Sequence, residues 1–505
     1  MDASLLWYAF AVHAGLELLL YILPFWWRAT ILRRLYASGL TVALGFLMGA
    51  LLILRLDFIM VLVVFFGLYR TVNLLRIIEN RSHLRHQRKV AARTGVLLLG
   101  CQLMLFGIGW LMQHVSIVYD AWMYALAAAQ LAVAVVLYAS TIRRLQRTTL
   151  HATKEAFAAS ELPTVTVAIP ARNETESLEH CLKSLVHNTY PKLEILVLDD
   201  CSQTRKTPEI ISSFAHDGVR FLKGEVPAEN WLAKNQAYHK LAHEANGEII
   251  LFCGVDTRFE RDTVLKLVME LLSRNKRMIS VIPYRKQPPK AYQSFIQAGR
   301  YLWELTPPRR LFRRPPVISS CWLIYRKDLL GLGGFKAVSR MILPEAYFAR
   351  QNLNGDGYSF LRGTESLGLF SAKGPDEQRQ TAIRTRYPQL HRRPENVAVL
   401  TLLEVLLLLG PFALIVFAVF GYAPLLSGLA ALISAGLLIA SHYLVTTRTN
   451  LQRPLTALWS MPAVVVSDIG LMHVSLQQYE FSEVLWKGRN VCVPVMHVIP
   501  SLPKA

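Results

Sequence analysis

Three short segments carry residues able to do chemistry: Ala171, Arg172, Asn173 and Glu174; Asp199, Asp200, Cys201 and Ser202; and Gly254, Val255, Asp256 and Thr257. Each follows a short apolar run, VTVAIP (165–170), LEILVL (193–198) or EIILFC (248–253). Carboxylates at such positions can accept hydrogen bonds from a base or a ribose. They can also anchor a divalent cation that bridges to a diphosphate, although they cannot hold phosphate directly. Neither GxGxxG nor GxxxxGK[ST] occurs, so a dinucleotide fingerprint and a P-loop are both excluded.

The elements that must position these groups read as alternating strands and helices. Between the first two runs, Leu178, Leu182 and Leu185 share one helical face over 175–186. A helix through Ile210 to Phe214, a strand at 219–222 and a helix over 232–245 follow. This alternation predicts a mostly parallel sheet covered on both faces. Functional groups then belong just beyond the carboxyl ends of the strands. A single carboxylate there is as readily a turn or cap residue. Three at the ends of successive strands point to a site.

The rest of the chain is of another kind. Of 505 residues, 53% are hydrophobic and 18% charged, and the mean hydropathy is +0.31. These values exclude a disordered chain, a coiled coil and a disulfide scaffold. Five apolar stretches near membrane-crossing length fill 5–27, 36–54, 57–75, 95–115 and 120–142; three more lie at 397–420, 423–445 and 455–476. The links after the first, third and fifth are rich in arginine (Arg28, Arg33 and Arg34; Arg76, Arg81, Arg85, Arg88 and Arg93; Arg143, Arg144 and Arg147). Placing them in the cytoplasm puts the N-terminus outside and the polar middle inside. The expected organisation is five transmembrane helices over 1–150, a cytoplasmic domain over 151–395, two or three transmembrane helices over 396–478, and a cytoplasmic or interfacial tail over 479–505. The last apolar stretch contains Pro462, Asp468 and His473, and reads equally as a third crossing or as an interfacial segment. The net charge of +20 asks for an anionic partner. Six scattered cysteines without a CxxC read as reduced thiols.

The middle region resembles a family 2 glycosyltransferase of the GT-A fold through VTVAIPARNE (165–174), EILVLDDCS (194–202), ENWLAKNQAY (229–238), GEIILFCGVDT (247–257) and LIYRKDLLGLGGF (323–335). Its W-x-x-K and GGF segments, with a weaker echo at WKGR (486–489), are similar to the membrane-bound branch that glycosylates lipids: the hopanoid-associated, carotenoid and ceramide glycosyltransferases. The resemblance implies an integral protein of the cell membrane that transfers a sugar, with inversion, from a nucleotide diphosphate sugar to a lipid hydroxyl. It implies nucleotide-sugar contacts from Pro170, Arg172, Glu174, Asp199, Asp200, Trp231 and Lys234. Asp256 would be the metal ligand for Mg²⁺ or Mn²⁺, and Glu345 the catalytic base.

Departures accompany the match. Gly254 replaces the first Asp of the D-x-D metal motif, and the family's E-D pair reads Pro344–Glu345. A Q-x-x-R-W motif is missing, with Arg384, Thr385, Arg386 and Tyr387 as a divergent stand-in. A processive polysaccharide synthase and a catalytically weakened, nucleotide-sugar-binding relative therefore remain as alternatives. Tyr292, Phe295, Ile296, Gly299 and Trp303 recur at helical spacing before Arg309, Arg310, Arg313 and Arg314. That pattern suits either an interfacial helix with a basic collar or a core helix beside a solvated charge run. No nucleic-acid-binding module accompanies these arginines, so nucleic acid is not expected as a partner.

Overall fold

The computed structural model describes residues 3–22, 30–54, 58–79, 85–114, 116–150, 158–308, 315–353 and 355–492. Arg28 and Arg81 of the expected links and Arg309, Arg310, Arg313 and Arg314 of the expected collar lie outside the described residues. The described residues form two compact units, one from Met1–Leu131, Gln389–Leu432 and Met472–Ser482, the other from Ala132–Pro388, Ile433–Leu471 and Glu483–Ala505.

The first unit is helical. Helices Ala3–Ile22, Thr30–Leu54, Phe58–Glu79 and Arg85–His114, with the start of Ser116–Arg147, follow the five apolar stretches of the sequence. Phe10, Leu44, Val63, Leu74, Phe106 and Met123 are among its buried side chains. Within this apolar bundle Arg70 is fully buried. Its guanidinium donates to Glu17 and Gln102 and meets His13 Nδ1 at 2.9 Å. A charge among apolar helices is tolerated only when paired in this way. Among the described residues of the whole chain, five helices are long and apolar enough to cross a membrane: Ile31–Ala50, Ala91–Ile108, Tyr119–Arg147, Pro394–Val419 and Leu425–Arg448. The last apolar stretch forms the helix Met461–Phe481. Its two costly groups are both satisfied, Asp468 by Arg386 and His473 by the Tyr69 hydroxyl.

The second unit is built on a seven-stranded sheet of order β3-β2-β1-β4-β7-β6-β8. Its strands are β1 (Val165–Ala171), β2 (Leu193–Asp199), β3 (Val219–Lys223), β4 (Ile249–Cys253), β6 (Met278–Ile282), β7 (Cys321–Tyr325) and β8 (Tyr358–Arg362). A separate pair is made by β5 (Thr257–Phe259) and β9 (Leu369–Ser371). Within the seven-stranded sheet the pairs β1–β2, β2–β3, β1–β4 and β6–β8 are parallel, and among its described strands only β7 runs against its neighbours. The period-2 alternation of the strands splits their side chains between two cores. Val167, Ile169, Val197, Ile249 and Leu251 pack on one face. Ala168, Leu196, Leu198, Phe252 and Trp322 pack on the other. Burial on both faces is the mark of a parallel sheet sandwiched by helices.

The helix expected at 290–303 is Ala291–Leu305. Ala298, Tyr301 and Leu305 are buried, and Gly299 faces Val464 and Asp468. Of its apolar set Tyr292 alone is strongly exposed, so this is chiefly a core-facing helix.

An aromatic stack holds the sheet to the helices beside the site. Phe252 lies 4.4 Å from Trp322, 5.0 Å from Tyr238 and 5.4 Å from Phe335, centroid to centroid. Removing a fully buried Phe ring costs about 3–5 kcal/mol. Phe252→Ala should therefore lower the thermal melting midpoint of the detergent-solubilised protein by several degrees; an unchanged midpoint would show that this stack carries little stability.

Candidate active site

Sheet register brings the chemistry together. Ala171 at the end of β1 pairs with Asp199 at the end of β2, and β4 runs parallel on the other side of β1. The chain leaves β1 for β2 in one direction and reaches β4 in the other, so the three carboxylate loops open into one crevice at a topological switch point.

The first two loops are stitched to each other. Asn173 and Cys201 both take left-handed backbone, at φ of 49° and 52°. The Asn173 N–H donates to the Ser202 hydroxyl at 2.9 Å, and the Gln203 N–H donates to the Asn173 side chain at 2.8 Å. Arg172 donates to the carbonyls of Asp200 and Cys201. Asp199 accepts from the Ser202 amide and hydroxyl, so its carboxylate braces the turn. Pro170 stays within the β1–β2 ladder, opposite Leu198. Glu174 and Asp200 point away from this bracing and are nearly buried. Burial raises the pKa of both, opposed by Lys487 at Glu174 and by Arg489 at Asp200.

Those two cations come from the tail. Lys487 Nζ lies 3.1 Å from the Glu174 carboxylate, and Arg489 donates to the Asp200 carboxylate at 2.7 Å. They sit on a small hairpin of β10 (Leu485–Trp486) and β11 (Arg489–Asn490). Lys487 and Gly488 both have positive φ, 48° and 77°, as a two-residue hairpin turn demands. Arg172 Nε donates to the Lys487 carbonyl at 3.0 Å and ties the turn to the first loop.

Asp256 faces a different cation. An antiparallel pairing sets Thr257 of β5 opposite Ser371 of β9 and brings Lys373 Nζ to 3.8 Å from the Asp256 carboxylate. Asp256 also folds back over Gly254, where an added Cβ would meet its Oδ1. A second carboxylate at 254 would require Asp256 to turn away. Among the described residues no group of three or more His, Cys, Asp or Glu side chains could hold a metal ion. Asp256 thus offers one carboxylate.

Trp231 and Lys234 line a cavity of about 500 Å³ together with Ser319, Arg384, Trp486 and Arg489. Arg384 stands over the Trp486 ring at 5.8 Å. The Arg384 to Tyr387 segment therefore supplies a cavity cation, while Arg386 turns to Asp468 and to the face of Trp303. Fully buried Asn235 donates to the carbonyls of Val338, Ser339 and Met341 and fixes the segment leading into helix Pro344–Leu353. Glu345 lies in the first turn of that helix, fully buried, where its charge acts on Lys234 and Tyr238. Desolvation pushes the Lys234 pKa down to about 8, against the pull of Glu345.

The sequence reading missed Lys373 and Asn235. Lys373 has no local signal, since only the β5–β9 pairing brings it to Asp256. Asn235 directly follows the W-x-x-K run, but its contacts with 338–341 lie about a hundred residues away and leave no local signal.

Residues 166–332 match the family model described as Glycosyl transferase family 2, and this segment carries most of the strands of the GT-A-like α/β sheet. The chain is 35% identical over 192 residues to the probable glycosyltransferase YdaM of Bacillus subtilis, covering 35% of this chain and 43% of that protein. It is 28% identical over 122 residues to a 4,4'-diaponeurosporenoate glycosyltransferase of Staphylococcus haemolyticus, covering 24% of this chain and 32% of that protein. The matches span less than half the length of either relative. A solved mannosyltransferase of Pyrobaculum calidifontis, in complex with GDP-Man and Mn²⁺, aligns at a TM-score of 0.44 and 19% identity over 70% of this chain and 99% of that one.

A cavity cation with a pKa near 8 makes anion binding sensitive to mild alkali. Lys234 carries its proton below about pH 8 and loses it above. The affinity of the full-length protein for inorganic pyrophosphate should fall between about pH 7 and about pH 9. Lys234→Arg, which stays charged throughout, should flatten that fall. Calorimetric titration checks this, and an equal fall in Lys234→Arg would remove Lys234 from the explanation.

Proposed function

We propose that this protein transfers a sugar from a nucleotide diphosphate sugar to a lipid hydroxyl at the cytoplasmic face of the cell membrane. The observation that carries this reading is the convergence of Glu174, Asp200 and Asp256 with Lys234 and Lys373 in a family 2 domain. Five membrane-length helices in the same chain support an acceptor held in a bilayer, as does the relative named for 4,4'-diaponeurosporenoate. The arginines at 33, 34, 76, 143, 144 and 147 support the cytoplasmic side.

In the reaction the acceptor oxygen attacks the anomeric carbon from the side opposite the diphosphate. The new C–O bond forms as the bond to the diphosphate breaks, and the diphosphate leaves with the electron pair. Glu345 takes the hydroxyl proton. The acceptor must therefore come within hydrogen-bond reach of it, from the part of the cavity lined by Leu343 and Lys234. Asp200 receives the base, Glu174 and Arg172 border it, and Trp231 walls the cavity. Lys234 and Lys373 offset charge developing on the leaving group. Asp256 would hold a divalent cation, with diphosphate and water completing its coordination, as suits a cation that commonly uses one or two protein carboxylates. When bound, the cation would add Lewis-acid neutralisation of the diphosphate.

The direct test supplies membranes containing the protein with several labelled nucleotide sugars, then extracts and weighs the lipids. A sugar-bearing lipid is expected. Label recovered in a polymer would favour a processive synthase, and binding without transfer would favour a catalytically weakened relative. Within that assay Glu345→Gln should leave donor affinity within a few-fold and lower turnover by about 10²–10⁴. Asp256→Ala should lower it by about 100-fold, in line with losing a metal ligand. Normal turnover in either variant would withdraw that residue's role.

A further inference from the structure

The tail hairpin lies outside the matched family segment, yet it touches the two carboxylates assigned above to the nucleotide. Asp200 and Glu174 are nearly buried, and each already holds a cation. A base seated on Asp200 must share that carboxylate with Arg489 or displace it. A diphosphate arriving beside Glu174, Asp199, Asp200 and Asp256 adds negative charge where carboxylates already converge. A cation able to pass from the carboxylates to the diphosphate would relieve both, in addition to what Lys234 and Lys373 supply.

Arg489 is placed to do so. It donates to the Asp200 carboxylate at 2.7 Å and also lines the cavity shared by Lys234 and Arg384. In this one position it therefore borders both the carboxylate and the cavity. The hairpin backbone can stay where it is, held by the Arg172 bond to the Lys487 carbonyl, by the Val491 N–H bond to the Val484 carbonyl at 2.8 Å, and by Trp486 beneath Arg384. The planar guanidinium fork suits two phosphate oxygens as well as it suits a carboxylate.

We propose that Lys487 and Arg489 are donor-binding residues that exchange from Glu174 and Asp200 onto the diphosphate of the nucleotide sugar. The proposal rests on the donor reading given above. It makes the tail hairpin the element that completes the diphosphate half of the site, with Arg489 the stronger contributor because it already borders the cavity.

The test is calorimetric titration of the full-length detergent-solubilised protein with UDP, GDP, ADP, CDP and dTDP, the matching nucleosides, and inorganic pyrophosphate. For whichever diphosphate binds, Arg489→Gln should weaken it and pyrophosphate by about tenfold or more, the loss of a charge-assisted hydrogen bond. Affinity for the free nucleoside should hold or rise, because Asp200 is released. Lys487→Gln should act in the same direction with a smaller effect. Arg489→Lys, which keeps the charge but not the fork, should recover part of the loss and shows that the hairpin still folds. An unchanged diphosphate affinity in Arg489→Gln, or an equal loss for nucleoside and diphosphate, would overturn the proposal while leaving the donor reading in place. A wild-type protein that binds none of the five diphosphates would overturn the donor reading itself.

Discussion

Carboxylates that have left water at the ends of three neighbouring strands must be matched by cations, and the architecture of the second unit follows from that constraint. Desolvation disfavours the charged form of Glu174 and Asp200, so each needs a nearby positive group to stay ionised. No neighbouring residue in sequence supplies it. Lys487 and Arg489 arrive from the tail, and Lys373 arrives at Asp256 through a strand pairing more than a hundred residues away. Each of these three carboxylates is therefore matched by a cation brought from a distant part of the chain.

The sheet makes this set rigid. Both faces of β1, β2 and β4 are buried, so a one-residue slip would carry apolar side chains to the wrong core and remove Asp199 and Asp200 from the crevice. Asn235 works at a longer range. Its amide satisfies three carbonyls of the segment before helix Pro344–Leu353, which sets Glu345 where its charge reaches Lys234. The replacement of a D-x-D aspartate by Gly254 has a local counterpart, since the Asp256 carboxylate occupies the space a side chain at 254 would need.

Much of this was legible in the residues. The runs at 165–170, 193–198 and 248–253 become strands within a residue of their expected ends, because β-branched apolar runs buried on both sides have few other uses. The carboxylate loops lie at the carboxyl ends, as the alternation of strands and helices requires. Pattern alone could not give the direction of β7, since period-2 alternation is the same for a strand run either way. Nor could it separate Asp199, which braces its own turn, from Asp200, which faces a tail cation. WKGR stood out as a motif, but its contact with the first two loops is a long-range fact. The helix Ala291–Leu305 shows the converse limit, for an amphipathic pattern reads alike whether its apolar face meets lipid or protein.

The three strand-end loops and the tail hairpin are proposed to form one nucleotide-sugar site. Hydrogen–deuterium exchange of the full-length protein, with and without the nucleotide sugars, tests it most directly. Added protection is expected at 171–174, 199–203, 254–257, around Trp231, Lys234 and Lys373, and at the hairpin 484–491, appearing together with the same donor. Protection only in parts of the second unit away from these segments, or in the three loops while the hairpin stays unaffected by every donor that binds, would contradict it.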